Sequence, residues 1–322
     1  MRWAGRWLRR ALVLGLVLVV VVGWLAGWVT PIRPWEVSTG WEQIPQAQRA
    51  PLGTRLWPGK EAPRLHWLGH AGFLLDWAGT RLLLDPNESP WCTIAKRTLE
   101  PGRPPEELGG IDAVLVSHAH FDHLDLPTLR RLPRLGAVVL PMGSGRYVRD
   151  LEAKGTRVLD LAEGGSLQFG ELEVVAVPAR HNGNRWHPLT SHHGANGYVV
   201  RHGTEALYFA GDTGFGDHFT AIREAFHPRA AILPIGAYAP RFPMKYYHLS
   251  PEEAVAAARE LGVERTIPAH FGTFALALDR PSSALPRFAA AAYRERLAWT
   301  MPVLLQEEGD GALASARAAG SR

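Results

Sequence analysis

The spacing of apolar positions changes along the chain, and each change marks an element. Ala11 to Val29 is an unbroken run of 19 uncharged residues dominated by Leu and Val. As a helix it would measure about 28 Å, close to the hydrocarbon thickness of a bilayer. No apolar period survives between Thr30 and Lys60, where Pro31, Pro34, Pro45, Pro51 and Pro58 read as a tether. Its tryptophans Trp35, Trp41 and Trp57 either pack on the following domain or lie against a bilayer surface. From Arg64 onward the period shortens to that of strands. Arg64–Leu68, Gly72–Trp77 and Arg81–Asp85 are separated by glycine-containing turns. Ile111–Ser117 is almost continuously apolar, as in a strand covered on both faces.

Helices are expected over Leu126–Leu132, Ser144–Lys154, Phe219–Phe226 and Pro251–Leu261, and strands over Ala137–Leu140, Ala230–Leu233 and Thr266–Ala269. Hairpins are expected for Ser166–Phe169 with Glu171–Pro178, and for Gly197–Arg201 with Ala206–Ala210. Ser250-Pro251-Glu252-Glu253 combines an N-cap Ser, a Pro at the first helical position and a Glu three residues on. Hairpins with interspersed helices predict two packed sheets with helices outside. The organisation expected is a basic flank and transmembrane anchor over 1–30, a tether over 31–60, a folded domain over 61–308 and a frayed tail over 309–322.

Composition narrows the class. The 322 residues are 46% apolar, enough for a full core, and the lone Cys92 excludes a disulfide scaffold. The net charge of +4 is accounted for by Arg2, Arg6, Arg9 and Arg10, which leaves a neutral body and argues against a nucleic-acid partner. Those four arginines precede the apolar run and only Arg33 follows closely. The positive-inside rule then places the N-terminus in the cytoplasm and the domain on the periplasmic or extracellular side, with residues 11–29 in the bilayer. A cleaved signal peptide is the alternative, but the run is long for one.

The chemistry lies in the 14 histidines. Ser117-His118-Ala119-His120-Phe121-Asp122-His123 falls just after the buried strand. In extended chain His118 and His120 project to one side and can converge on one cation, while Asp122 and His123 can face a second. His181, Asp212 and His270 each follow a strand end and supply the missing donors, and a carboxylate such as Asp212 can bridge two ions. Neutral imidazole and carboxylate suit Zn²⁺.

These segments resemble the metallo-β-lactamase fold of binuclear zinc hydrolases. The likeness extends to the branch of N-acyl-phosphatidylethanolamine-hydrolysing phospholipases D, through WLGHA at 67–71, IDAVLVSHAHFDHLD at 111–125, AGDTGF at 210–215, PIGAYAPRFPMKYYHLSPEEAV at 234–255 and AHFGTFALA at 269–277. The resemblance implies a four-layer αββα sandwich of two mixed sheets with outer helices. It implies two Zn²⁺ ions, one held by His118, His120, His181 and Asp212, the other by Asp122, His123, Asp212 and His270. It implies a phospholipid substrate cleaved to phosphatidic acid and an N-acylethanolamine, with Asp122 and His248 catalytic. His248, Arg241 and Lys245 are candidates to hold the phosphate, and Tyr238, Tyr246 and Tyr247 to line an acyl groove. His70 is expected to support the site rather than ligate. His66, His187, His202, His218 and His227 are expected at the surface or at caps, and Cys92 in packing. The competing readings are a hydrolase of a soluble lactone, phosphodiester or β-lactam on the same centre, and a non-catalytic metal-binding protein.

Overall fold

The computed structural model describes residues 53–59, 61–99, 103–185 and 194–302, with 14–15, 17–18, 49–50 and 304–305. Of the apolar run 11–29, only Leu14, Gly15, Val17 and Leu18 are described, as exposed helix, and the tail 309–322 lies outside the described residues. Among the described residues no helix is long and apolar enough to cross a membrane. The single-pass placement, with the domain on the far side, is therefore corrected.

Two sheets face each other across the main core. The larger has nine strands in the spatial order Arg49–Ala50, Leu304–Leu305, Arg64–Gly69, Gly72–Trp77, Thr80–Leu84, Gly110–Leu115, Arg134–Pro141 and Arg157–Leu161, with Thr54–Arg55 paired beside Arg64–Gly69. The smaller has six, Ser166–Phe169, Leu172–Pro178, Asn196–His202, Glu205–Phe209, Ala230–Pro234 and Arg265–Ala269. Its first four strands are antiparallel and its last two join in parallel. Strand alternation builds the layers. Leu74, Leu83, Val114 and Val138 are in register on one face of the larger sheet. They pack with Leu129 of the helix Leu126–Arg131 and with Val148 and Leu151. Their neighbours Leu75, Leu82, Leu84, Ala113 and Val139 point the other way, into a core shared with Val174, Val200 and Leu207 of the smaller sheet. Helices His218–Phe226, Pro251–Leu261 and Ala284–Arg294 cover the smaller sheet's outer face through Phe219, Ile222, Val255, Leu261 and Phe288.

Local signals read well where a cap fixes them. Ser250 and Glu253 form the reciprocal capping box, with Glu253 N donating to Ser250 Oγ at 3.2 Å and Ser250 N to Glu253 Oε2 at 2.9 Å. The helix expected over 144–154 is instead two 3₁₀ turns, Ser144–Tyr147 and Arg149–Lys154, broken at Val148. Asp160 draws the backbone amides of Gly143 and Gly145 toward the adjacent strand, at 3.1 and 2.8 Å, and so fixes the first turn. The strand Arg157–Leu161 and the helix Ala284–Arg294 carried no reading in the sequence. Leu56 and Trp57, at the end of the expected tether, are buried in the core, with Trp57 edge-on to Trp77.

The strands deliver their C-terminal ends to one rim. Asp85 and His270 directly follow such ends, Ser117 stands two residues past one, and Asp212 and His181 three. The rim is sewn across the sheets where Asn196 N donates to Ser117 O at 2.8 Å.

Candidate metal centre

The rim is built around Asp85, fully buried and held at a left-handed φ of 38°. Its Oδ1 accepts Ser117 N at 2.6 Å, and its Oδ2 accepts Ser117 Oγ at 2.5 Å and His123 Nδ1 at 2.6 Å. These bonds fix tautomers. His123 holds its Nδ1 proton against Asp85, so Nε2 is the nitrogen left to face a cation. Ser117 Oγ spends its proton on Asp85 and accepts from His118 Nδ1 at 2.9 Å, which frees His118 Nε2. His181 Nδ1 donates to Tyr247 O at 2.9 Å and frees His181 Nε2.

The freed nitrogens converge. His118 Nε2 and His181 Nε2 stand 2.9 and 3.2 Å from His120 Nδ1. Beside this trio, His123 Nε2 faces Asp122 Oδ2 at 3.3 Å and Asp212 Oδ2 at 3.1 Å. His270 Nε2 faces the same two oxygens at 3.2 and 3.1 Å. Asp212 joins the halves, because its carboxylate also groups with His118 and with His181 and His248. Gly211 permits this approach, since a Cβ there would lie 2.4 Å from that of Ser117.

The arrangement fits divalent cations. Ligand bonds of 2.0–2.1 Å around a tetrahedral ion put donors about 3.3 Å apart, close to the spacings here. Without a cation, lone pairs face one another in the His118, His120 and His181 trio. Asp212 Oδ1, His123 Nε2 and His248 Nδ1 are buried and lack hydrogen-bond partners. The electrostatics agree. Burial pulls His118 and His181 well below the ordinary imidazole range and lowers His120 too, so the trio keeps its lone pairs. Burial also pulls on His123 and His270. There the carboxylates outweigh it, raising His123 well above its usual value and His270 to about 9. Burial would raise Asp122 and Asp212, but the facing imidazoles hold both well below the carboxylate range. Positive charge is favoured in this half of the cluster.

All seven expected metal donors therefore meet at one rim, and His248 joins them. His248 is buried with Nδ1 3.7 Å from Asp212 Oδ2, and burial lowers its pKa to about 4. The expected substrate contacts are placed differently. Tyr238 is in the core, its hydroxyl 2.6 Å from Ser283 Oγ and its ring under the Arg287 guanidinium, so it does not line an open groove. Arg241 is committed to Glu253 and to the carbonyl of His248 at 3.1 Å, where it shapes the turn carrying His248. Lys245 is exposed beside the Tyr246 ring. His66 is buried against Asp76 at 3.2 Å rather than at the surface. His202 pairs with Glu171, and His218 approaches Thr213 Oγ1. Cys92 is buried in packing, its thiol pushed up to about 12 by desolvation. His187, His192 and His193 lie outside the described residues.

Sequence reasoning passed over three supports. Asp85 ends an apolar strand as a carboxylate, the same signal that marked Asp212. Asn87 Nδ2 donates to Phe121 O and Asp122 O at 3.3 and 3.2 Å. Arg185 Nη1 grips both ends of the ligand turn, at Ala119 O and Leu124 O, 2.9 and 2.8 Å away. Nothing local announces either role.

Comparison with known proteins places this geometry. Residues 80–271 match the family model described as a beta-lactamase superfamily domain. A metal-dependent hydrolase of Pyrobaculum arsenaticum is 30% identical over 68% of this chain and 88% of its own length. An N-acyl-phosphatidylethanolamine-hydrolyzing phospholipase D of Caenorhabditis elegans is 34% identical over 65% of this chain and 63% of its own. The solved structure of a metallo hydrolase from Ignicoccus hospitalis superposes with a TM-score of 0.57 at 23% identity, over 75% of this chain and 95% of that one, which supports the fold alone.

Proposed function

This chain belongs to the beta-lactamase superfamily and is a metal-dependent hydrolase, and from that premise we propose that it cleaves the phosphodiester bond of N-acyl-phosphatidylethanolamine-type lipids, releasing phosphatidic acid and an N-acylethanolamine. The observation that carries the lipid reading is the apolar rim beside the donors. Phe242 is 73% exposed, and Tyr246, Tyr247, Leu276 and Leu278 are also exposed. All five sit on the two segments that flank His248 and His270. Exposed aromatics and leucines clustered at a polar centre suit a substrate that brings acyl chains.

In this reading His118, His120, His181 and Asp212 would hold one Zn²⁺, and Asp122, His123, Asp212 and His270 would hold the other. Such a pair would supply a hydroxide from water near neutral pH and offset charge on a phosphoryl oxygen. The chain's own groups do the rest. Asp85, through His123 and Ser117, keeps the donor nitrogens bare. His248, neutral at pH 7, presents its unpartnered nitrogen to a phosphoryl or leaving oxygen. Lys245 stands on the exposed turn, where it meets the anionic headgroup. The oxygen of water joins phosphorus as water gives up a proton, the bond from phosphorus to the ethanolamine oxygen breaks, and that oxygen takes a proton and leaves as the alcohol.

The test is direct. The full chain, reconstituted with zinc, is incubated with N-acyl-phosphatidylethanolamine in mixed micelles and, in parallel, with a lactone, a cyclic nucleotide and a β-lactam. Chelator-sensitive release of N-acylethanolamine and phosphatidic acid is expected. Turnover of a soluble compound with the lipid left intact overturns the proposal.

A further inference from the structure

Four donors, from His70, Asp122, His123 and His270, lie within 4.8 Å of one another, which is one more than the proposed ligand set uses beside Asp212. His70 is the extra one. It stands just past the strand Arg64–Gly69, fully buried, at a left-handed φ of 53° that a side chain rarely adopts. Three backbone bonds hold it there. Its amide donates to Thr273 Oγ1 at 2.7 Å, and its carbonyl accepts Trp67 Nε1 and His270 N, each at 3.0 Å.

The imidazole has two possible protonation sites with unequal consequences. Nε2 stands 3.0 Å from Asp122 Oδ2, whereas Nδ1 is buried with no hydrogen-bond partner, near the Phe274 ring. A proton on Nδ1 would strand a buried donor and aim a lone pair at a carboxylate. A proton on Nε2 gives a good hydrogen bond and leaves only a lone pair unsatisfied. Stranded donors are the costlier defect. A nitrogen that carries a proton does not ligate.

From this geometry we infer that His70 is a positioning residue: Nε2–H donates to Asp122 Oδ2 while its carbonyl holds the His270 amide, so one residue aims two ligands of the second cation. The inference rests on the proposed ligand set and not on the lipid substrate. The second cation then depends on His70 although His70 never touches it, and the His118, His120 and His181 trio does not share that dependence.

Zinc titration of the metal-free full chain, followed by calorimetry and elemental analysis, tests this with no substrate present. Co²⁺ absorption reports the coordination. His70→Gln and His70→Ala suffer the same backbone strain, but only glutamine keeps an N–H donor. His70→Ala is expected to weaken the second cation about 10–100-fold while retaining the first. His70→Gln is expected to recover most of that loss with a wild-type Co²⁺ spectrum. Retention of the first cation shows that each variant has folded. If glutamine fails as alanine does and the Co²⁺ bands shift, His70 is a ligand and the inference is wrong. If alanine binds two cations with wild-type affinity, His70 positions nothing. A failed lipid assay leaves this result untouched.

Discussion

Gly236→Ala is a one-carbon change with a calculable consequence. Gly236 follows the strand Ala230–Pro234, which is locked in parallel register to Arg265–Ala269, with Ile235 N donating to Ala269 O at 2.9 Å. A Cβ at residue 236 would stand 2.0 Å from His270 O and 3.4 Å from His270 Nδ1. Ordinary contact begins at 3.4 Å, so the two backbones must part by about 1.4 Å. No flexible side chain is available to yield, because the collision is with backbone. His270 is tied through its own amide to His70, so the strain falls on His270 itself. Its Nε2 sits 3.1 Å from Asp212 and 3.2 Å from Asp122, in a cluster that tolerates donor shifts of only about 0.2 Å. The expected outcome is loss of one of two bound cations, a stability cost of about 1–3 kcal/mol, and a fall in hydrolysis of about 10²-fold or more. Elemental analysis, thermal melts and lipid turnover measure the three. Gly110→Ala is the control, since its Cβ would meet only Arg134 Cδ at 3.9 Å and should change none of them. A Gly236→Ala protein holding two cations at wild-type turnover would refute the rigid placement of His270.

Two further substitutions read other parts of the same frame. Asp85→Asn sets an amide against Ser117 and His123 and drives the His123 proton toward Nε2; zinc affinity should fall about 10–100-fold, and unchanged calorimetric titration would remove Asp85 from the site. Glu88 is buried with neither carboxyl oxygen hydrogen-bonded, and desolvation raises its pKa well above the usual value. The folded chain then holds a proton that the unfolded chain releases above pH 4.5, so Glu88 costs stability progressively as pH rises from there. Glu88→Gln should match wild type in denaturant melts at pH 4 and exceed it at pH 8, by at most about 1.4 kcal/mol per pH unit crossed. Equal stabilities at pH 8 would contradict the burial argument.

Much of the metal centre was legible because its donors obey a local rule. His118, His120 and Asp122 lie on the turn that follows the strand Gly110–Leu115, Asp212 and His181 each stand three residues past a strand, and His270 directly follows one, so strand ends found by hydrophobic period also found the candidate donors. The helix Pro251–Leu261 was legible for the same kind of reason, as its cap is written in four consecutive residues. The ending of the helix expected over 144–154 was not, because Asp160 fixes the first turn from the next strand. Asp85 reaches His123 across 38 residues and His70 reaches Asp122 across 52, and neither contact leaves a periodic trace. Tyr238 and Arg241 were candidate substrate contacts through the resemblance of the segment 234–255, but the fold turned one into the core and spent the other on Glu253. Sequence alone decided which residues could bear charge or coordinate at strand ends, since that depends on neighbours a few positions away. Only the tertiary structure decided which nitrogen of each imidazole stays bare, because that depends on partners the chain brings back from far along its length.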